Sequence, residues 1–164
     1  MLLGPRGRQD GALPEGSAAG SAPGFSLAST DGTTVSLADF RGRDVLLYFN
    51  EGVGCDACFY QMAELEADQP VLRERGLTIL PIVVNTEPDV RREMARFGVS
   101  TPFLIDADRG VSNAYGVLGK GMHADLPGHT FVLVDGTGRI RWARSYPSMF
   151  VRTPDLLAAV VPFQ

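Results

Sequence analysis

Cysteine, histidine and tryptophan are scarce in this chain of 164 residues, which holds two, two and one of them respectively. Two cysteines cannot build the disulfide framework of a small secreted scaffold. A structural zinc site takes about four ligands, and no second C-x-x-C is present. His123 and His129 complete a ligand set only if the fold brings them to the cysteines. Positive charge is also in short supply. Lys and Arg number 15 against 19 Asp and Glu, for a formal net charge of -4 with no basic cluster, which argues against nucleic-acid binding. No apolar run reaches the roughly 18 to 20 residues of a membrane span. The opening Met1-Leu2-Leu3-Gly4-Pro5-Arg6 lacks the roughly 7 to 15 apolar residues of a secretory signal. As it stands, the sequence reads as a soluble, cytoplasmic, single-domain chain. Its 45% hydrophobic and 21% charged content is ordinary for a globular domain.

Residues 1–23 are dominated by Gly, Pro, Ala and Ser, with no period of two or 3.6, and read as a flexible tail or linker. The folded domain is expected over 24–164. Phe25 to Ala28 and Thr34 to Leu37 flank the Asp31-Gly32 turn signal and predict a hairpin. Val45-Leu46-Leu47-Tyr48-Phe49 is a continuous apolar run, the pattern of a strand buried on both faces. A helix follows through Met62, Leu65 and Leu72, with a kink or break at Pro70. Leu77 to Val84 is a second buried strand, where Pro81 predicts a bulge or an edge. Glu87 to Phe97 is a charged helix, opened by Pro88 and stopped by Gly98. A short strand at Phe103 to Ile105 and a short helix at Val111 to Tyr115 follow. His129 to Asp135 and Arg139 to Trp142 flank Gly136-Thr137-Gly138 as a hairpin, and a helix over Pro154 to Val161 closes the chain. The order β-α-β-α-β-α-β-β-α predicts an α/β fold with a mixed central sheet.

The two cysteines form Cys55-Asp56-Ala57-Cys58, directly after a buried strand and at the start of a helix. Unpaired N–H groups and the positive end of the helix dipole favour a thiolate there. A redox dithiol is therefore the leading reading, with a metal site behind it. The first cysteine of such a pair is the exposed one, and the second lies about one turn inside the helix.

Around this motif the chain resembles the thioredoxin-like redoxins. That group includes the alkyl-hydroperoxide-reductase/thiol-specific-antioxidant (AhpC/TSA) proteins and the membrane-tethered TlpA/ResA-like oxidoreductases. The resemblance runs over roughly residues 22 to 160. It is carried by Ala22 to Leu27, Val35 to Gly42, Val45 to Phe49 leading into the cysteines, and Thr130 to Asp135 with Gly138-Arg139-Ile140. It implies a thioredoxin-like fold with an N-terminal β-hairpin and an inserted helix-strand unit. The sequence also departs from its relatives. The peroxiredoxin pattern P-x-x-x-T-x-x-C, laid over Cys58, meets Glu51 at the proline and Cys55 at the threonine. Thiol-disulfide oxidoreductases carry C-x-x-C here, but the tryptophan usual before the first cysteine is Gly54. Their cis-proline, before the strand facing the dithiol, falls on His129, with Pro127 two residues earlier. Either Pro127 is the cis residue or His129 replaces it. His129 is then either a strand-edge histidine bonded to a backbone carbonyl or a charge or proton partner of the sulfurs, expected opposite Cys55.

Two acids lie at the dithiol, Asp56 between the cysteines and Glu51 before them. Asp56 is expected to oppose thiolate formation and favour the disulfide. Glu51 is either a solvated loop carboxylate or a proton relay to the resolving thiol. Gly119-Lys120-Gly121 lacks the spacing of a phosphate-binding loop. The expected activity is thiol-disulfide exchange with a partner protein, Cys55 attacking and Cys58 resolving, maintained by a thiol electron donor and requiring no cofactor. The alternatives are a thiol peroxidase with Cys58 attacking and Cys55 resolving, and a copper or soft-metal carrier using the cysteines and a histidine, by analogy with Sco-like copper chaperones. The resemblance to membrane-tethered proteins implies an extracytoplasmic setting if an anchor lies upstream, against the cytoplasmic reading of the bare sequence.

Overall fold

The computed structural model describes residues 20–164. The tail expected over 1–23 lies outside these residues except at its end. There Ser21 bridges to Arg139, the Ala22 N–H donates to Gly138, and Pro23 accepts from the Tyr115 hydroxyl. The Gly20 carbonyl accepts from the Ile140 N–H.

Seven strands form one sheet: β1 (Ser26–Ser29), β2 (Thr34–Ser36), β3 (Asp44–Phe49), β4 (Leu77–Val83), β5 (Leu104–Ile105), β6 (Thr130–Val134) and β7 (Ile140–Ser145), in the order β2-β1-β5-β4-β3-β6-β7. β3, β4 and β5 run parallel, β6 lies antiparallel beside β3, and β7 lies antiparallel beside β6 at the sheet edge. Among the described residues five α-helices accompany them: α1 (Asp56–Ala67), α2 (Gln69–Glu74), α3 (Glu87–Phe97), α4 (Gly110–Ala114) and α5 (Thr153–Val160). The short β5–α4 unit is inserted between α3 and β6, and β5 joins the β1–β2 hairpin to β4.

The central strands are apolar on both faces because both faces are covered. Leu46 and Tyr48 of β3, with Phe131 and Leu133 of β6, pack with residues of α1, α3 and α5. Val45, Leu47 and Phe49, with Val132 and Val134, pack on the other side with Tyr115, Val117 and Leu37. The helix boundaries follow local chemistry. Pro70 sits in the first turn of α2, so the expected break falls between α1 and α2. Gly98 closes α3 at φ 67, a left-handed conformation that glycine adopts without a Cβ penalty. β7 runs three residues past the expected Trp142.

Pro81 needs a correction. It lies in an interior strand and pairs in regular register with Tyr48, without a bulge. The Ile82 carbonyl accepts from Asn50 beyond β3, and the Val83 carbonyl accepts from Asp106 beyond β5. By the alternation of a parallel ladder, position 81 faces the β5 side. β5 pairs only with Ile82 and Val83, so the missing N–H falls where the ladder has not begun.

Candidate active site

The dithiol sits where β3 hands over to α1. β3 ends at Phe49, and a glycine-containing loop carries the chain to Cys55. Asn50 and Asn85 hold this loop: the Asn50 Oδ1 accepts from the Gly52 N–H at 3.0 Å, and the Asn85 Oδ1 accepts from Val53 at 3.0 Å. Gly52 has φ 69, and a Cβ there would strike Asn85 Oδ1, so glycine is required twice over.

Cys55 is the N-cap of α1 and is disulfide-bonded to Cys58. Its Sγ accepts from the Cys58 N–H at 3.2 Å. A sulfur at this position takes one of the free N–H groups of the helix start, which favours the thiolate when the disulfide is reduced. The exposures differ as expected: Cys55 is half-buried, while Cys58 is 0% exposed.

His129 meets the dithiol from the position just before β6, and the sulfur it meets is that of Cys58 rather than Cys55. The register fixes this placement. Tyr48 pairs with Phe131, and His129 lies two residues before Phe131, on the same face of the sheet, toward α1. The imidazole is buried at 1% exposure. Its Nδ1 lies 3.1 Å from the Tyr48 hydroxyl and 3.9 Å from the Cys58 Sγ, and its Nε2 lies 3.0 Å from the Gln61 Oε1. Burial lowers its pKa from 6.5 to about 4, so the ring is neutral at neutral pH. The imidazolium considered as a charge partner for Cys55 is therefore not the state present. Burial likewise pushes the Tyr48 hydroxyl well above its ordinary range, so it stays protonated.

Pro127 is not a cis residue: all peptide bonds among the described residues are trans, and Pro127 forms an isolated bridge with Leu118. Glu51 is not a solvated loop carboxylate. It is buried, its Oε1 accepts from the Met122 N–H at 2.9 Å, and its Oε2 lies 3.9 Å from His123 Nε2, so it anchors the 119–127 loop instead of bonding to a sulfur. Asp56 is exposed, with Arg96 Nη1 at 3.6 Å from its carboxylate. Solvent and this cation screen the opposition to thiolate formation expected of it. Among the described residues no group of three or more His, Cys, Asp or Glu is placed to hold a metal ion. No helix among them is long and apolar enough to cross a membrane.

Sequence reasoning missed Gln61. It is a buried amide one turn after Cys58, on the same face of α1 as Leu65. A polar residue on an otherwise apolar helix stripe was the available signal.

A mixed sheet with a helix opening on C-x-x-C defines a thioredoxin-like oxidoreductase scaffold. The chain belongs to the AhpC/TSA family, whose model matches residues 19–143. It is 35% identical over 123 residues to the thiol-disulfide oxidoreductase ResA of Geobacillus thermodenitrificans, covering 74% of this chain and 65% of that protein. The match thus spans less than two thirds of ResA. It is 30% identical over 123 residues to peroxiredoxin Bcp of Escherichia coli K12, covering 73% of this chain and 79% of that protein. Among solved structures, peroxidoxin BcpB of Mycobacterium tuberculosis superposes with a TM-score of 0.74 at 17% identity, covering 89% of this chain and 97% of that one. That likeness establishes the shared fold.

Proposed function

We propose that this protein is a thiol-disulfide oxidoreductase that reduces disulfides of a partner protein. The observation that carries the reading is the asymmetry of the dithiol: a half-buried Cys55 at a helix N-cap bonded to a fully buried Cys58. Cys55 reaches a partner's disulfide, and its thiolate attacks one sulfur to form a mixed disulfide. Cys58 then attacks Cys55, releasing the partner as a dithiol and closing the Cys55–Cys58 disulfide. A thiol donor of the same chemical class restores the dithiol. The match to ResA supports this assignment. Cys58→Ser is expected to accumulate a mixed disulfide with a protein disulfide substrate, whereas Cys55→Ser is expected to form none. Failure of the reduced wild-type protein to reduce any protein disulfide overturns the reading.

Thiol peroxidase chemistry is the second reading, favoured by the match to peroxiredoxin Bcp. It requires peroxide to reach the buried Cys58, with Cys55 in the slot where that family holds threonine. Steady-state consumption of hydroperoxide by the reduced protein, abolished in Cys58→Ser, would establish it. The carrier reading has less support, because Met122 and His123 lie on an exposed turn tied to Glu51.

A further inference from the structure

Gln61 and His129 form a connected pair behind the buried sulfur. The Gln61 amide is bound at both ends to the backbone of Val151: its Nε2 donates to the Val151 carbonyl at 2.8 Å, and its Oε1 accepts from the Val151 N–H at 2.9 Å. A backbone N–H only donates and a carbonyl only accepts, so the amide has one orientation. Its Oε1 therefore faces His129 Nε2 at 3.0 Å as an acceptor, and Nε2 must carry the ring proton. Nδ1 is left with its lone pair directed at Tyr48 and Cys58.

In the disulfide state the Cys58 sulfur has no proton, and the Tyr48 hydroxyl at 3.1 Å is the donor to Nδ1. The same hydroxyl lies 3.4 Å from the Cys58 carbonyl, a second acceptor to which it can turn. Reduction gives Cys58 an S–H beside the Nδ1 lone pair. The ring is packed by Tyr48 of β3, Cys58 and Gln61 of α1 and Phe131 of β6, with Tyr146 beyond Phe131. Among the described residues no carboxylate or guanidinium hydrogen-bonds to it. Nδ1 is thus the proton acceptor in contact with this sulfur.

We propose that His129, held in its Nε2–H tautomer by Gln61, is the general base that takes the Cys58 proton in the resolving step. His129 is the catalytic residue and Gln61 the positioning residue. The inference rests on the reading of Cys58 as the resolving thiol. The proton passes from Cys58 Sγ to Nδ1, and the resulting thiolate attacks the Cys55 sulfur of the mixed disulfide. The Cys55–Cys58 bond forms as the Cys55–partner bond breaks, and the partner sulfur leaves with the electron pair as a thiolate. The imidazolium then returns its proton to that thiolate or to solvent. No oxidant beyond the partner disulfide is consumed.

The reaction of the reduced protein with 5,5′-dithiobis(2-nitrobenzoate) separates the steps. A first release of coloured thiolate reports attack by Cys55, and a second reports resolution by Cys58. Positioned acid-base catalysis is commonly worth about 100-fold or more. His129→Phe and Gln61→Leu are expected to slow the second release at least about 10-fold relative to the first. An unchanged ratio in either variant overturns the proposal. A wild-type protein that never gives the second release, and retains the label on Cys55, overturns the assignment of Cys58 as resolving thiol instead. Nitrogen NMR of the reduced wild-type protein gives a check that needs no variant. The proton on Nε2 is expected, and a proton on Nδ1 overturns the inference.

Discussion

Protonation of His129 should cost this fold stability as the pH falls from 6.5 toward 4. The ring is neutral and buried in the native state with a pKa of about 4, while in the unfolded chain it returns to about 6.5. Between these values the unfolded state binds more protons, so stability is full above pH 6.5 and declines as the pH falls toward 4. Linkage gives a loss of about 2 kcal/mol by pH 5 and about 3 kcal/mol by pH 4. The buried carboxylate Glu51 and the surface acids act in wild type and variant alike, so a difference between the two proteins isolates the histidine. The assay is urea denaturation of the oxidised protein at pH 7, 6, 5 and 4, for the wild type and for His129→Phe. The wild type should lose about 2 kcal/mol more than the variant between pH 7 and pH 5. Parallel stability curves would refute the neutral, buried state of this ring, and with it the lone pair assigned to Nδ1.

Three further outcomes follow from the same structure. After reduction, Cys55 should be alkylated at least about 10-fold faster than Cys58 at pH 7, as read by peptide mass spectrometry, because it is accessible and capped by the Cys58 N–H; faster labelling of Cys58 contradicts this. Glu66→Ala should destabilise by about 2 kcal/mol, because its carboxylate accepts from the N–H and hydroxyl groups of both Ser100 and Thr101, partly in solvent. Burial opposes ionisation of Glu66, but these bonds outweigh it and hold its pKa below 4.5. The wild-type advantage should therefore be full above pH 4.5 and fade as the pH falls through the native value, which paired denaturation curves will show. Phe131→Ala should cost about 3 to 5 kcal/mol, since the ring is 0% exposed and stacks on Tyr48 with centroids 4.6 Å apart; a loss under about 1 kcal/mol would show that this part of the core collapses around the gap.

Local chemistry made much of this protein legible in its sequence. The continuous apolar run Val45 to Phe49 had to be a strand covered on both faces, because an uncovered face would leave large side chains in water. Pro88 and Gly98 bracketed α3 because proline fits only a first turn and glycine alone takes a left-handed stop without strain. The C-x-x-C at a strand-helix junction announced its chemistry through the field of the helix start. The four residues around it were another matter. Glu51 became a buried anchor for a distant loop because the fold brings the Met122 N–H to it, and no local pattern records that approach. Asp56 met Arg96 across the groove between α1 and α3, which only helix packing could supply. His129 faces Cys58 because β6 pairs with β3 in one particular register; a slip of one residue would have turned it to the opposite side of the sheet. Gln61 gained its meaning from Val151, 90 residues away, whose backbone fixes the amide and through it the proton on His129. The sequence by itself determined the elements and the dithiol, because those depend on periodicity and on the backbone needs of single residues. Only the tertiary structure decided which groups surround the sulfurs and which nitrogen carries the proton, because those depend on strand register and on contacts between segments far apart in the chain.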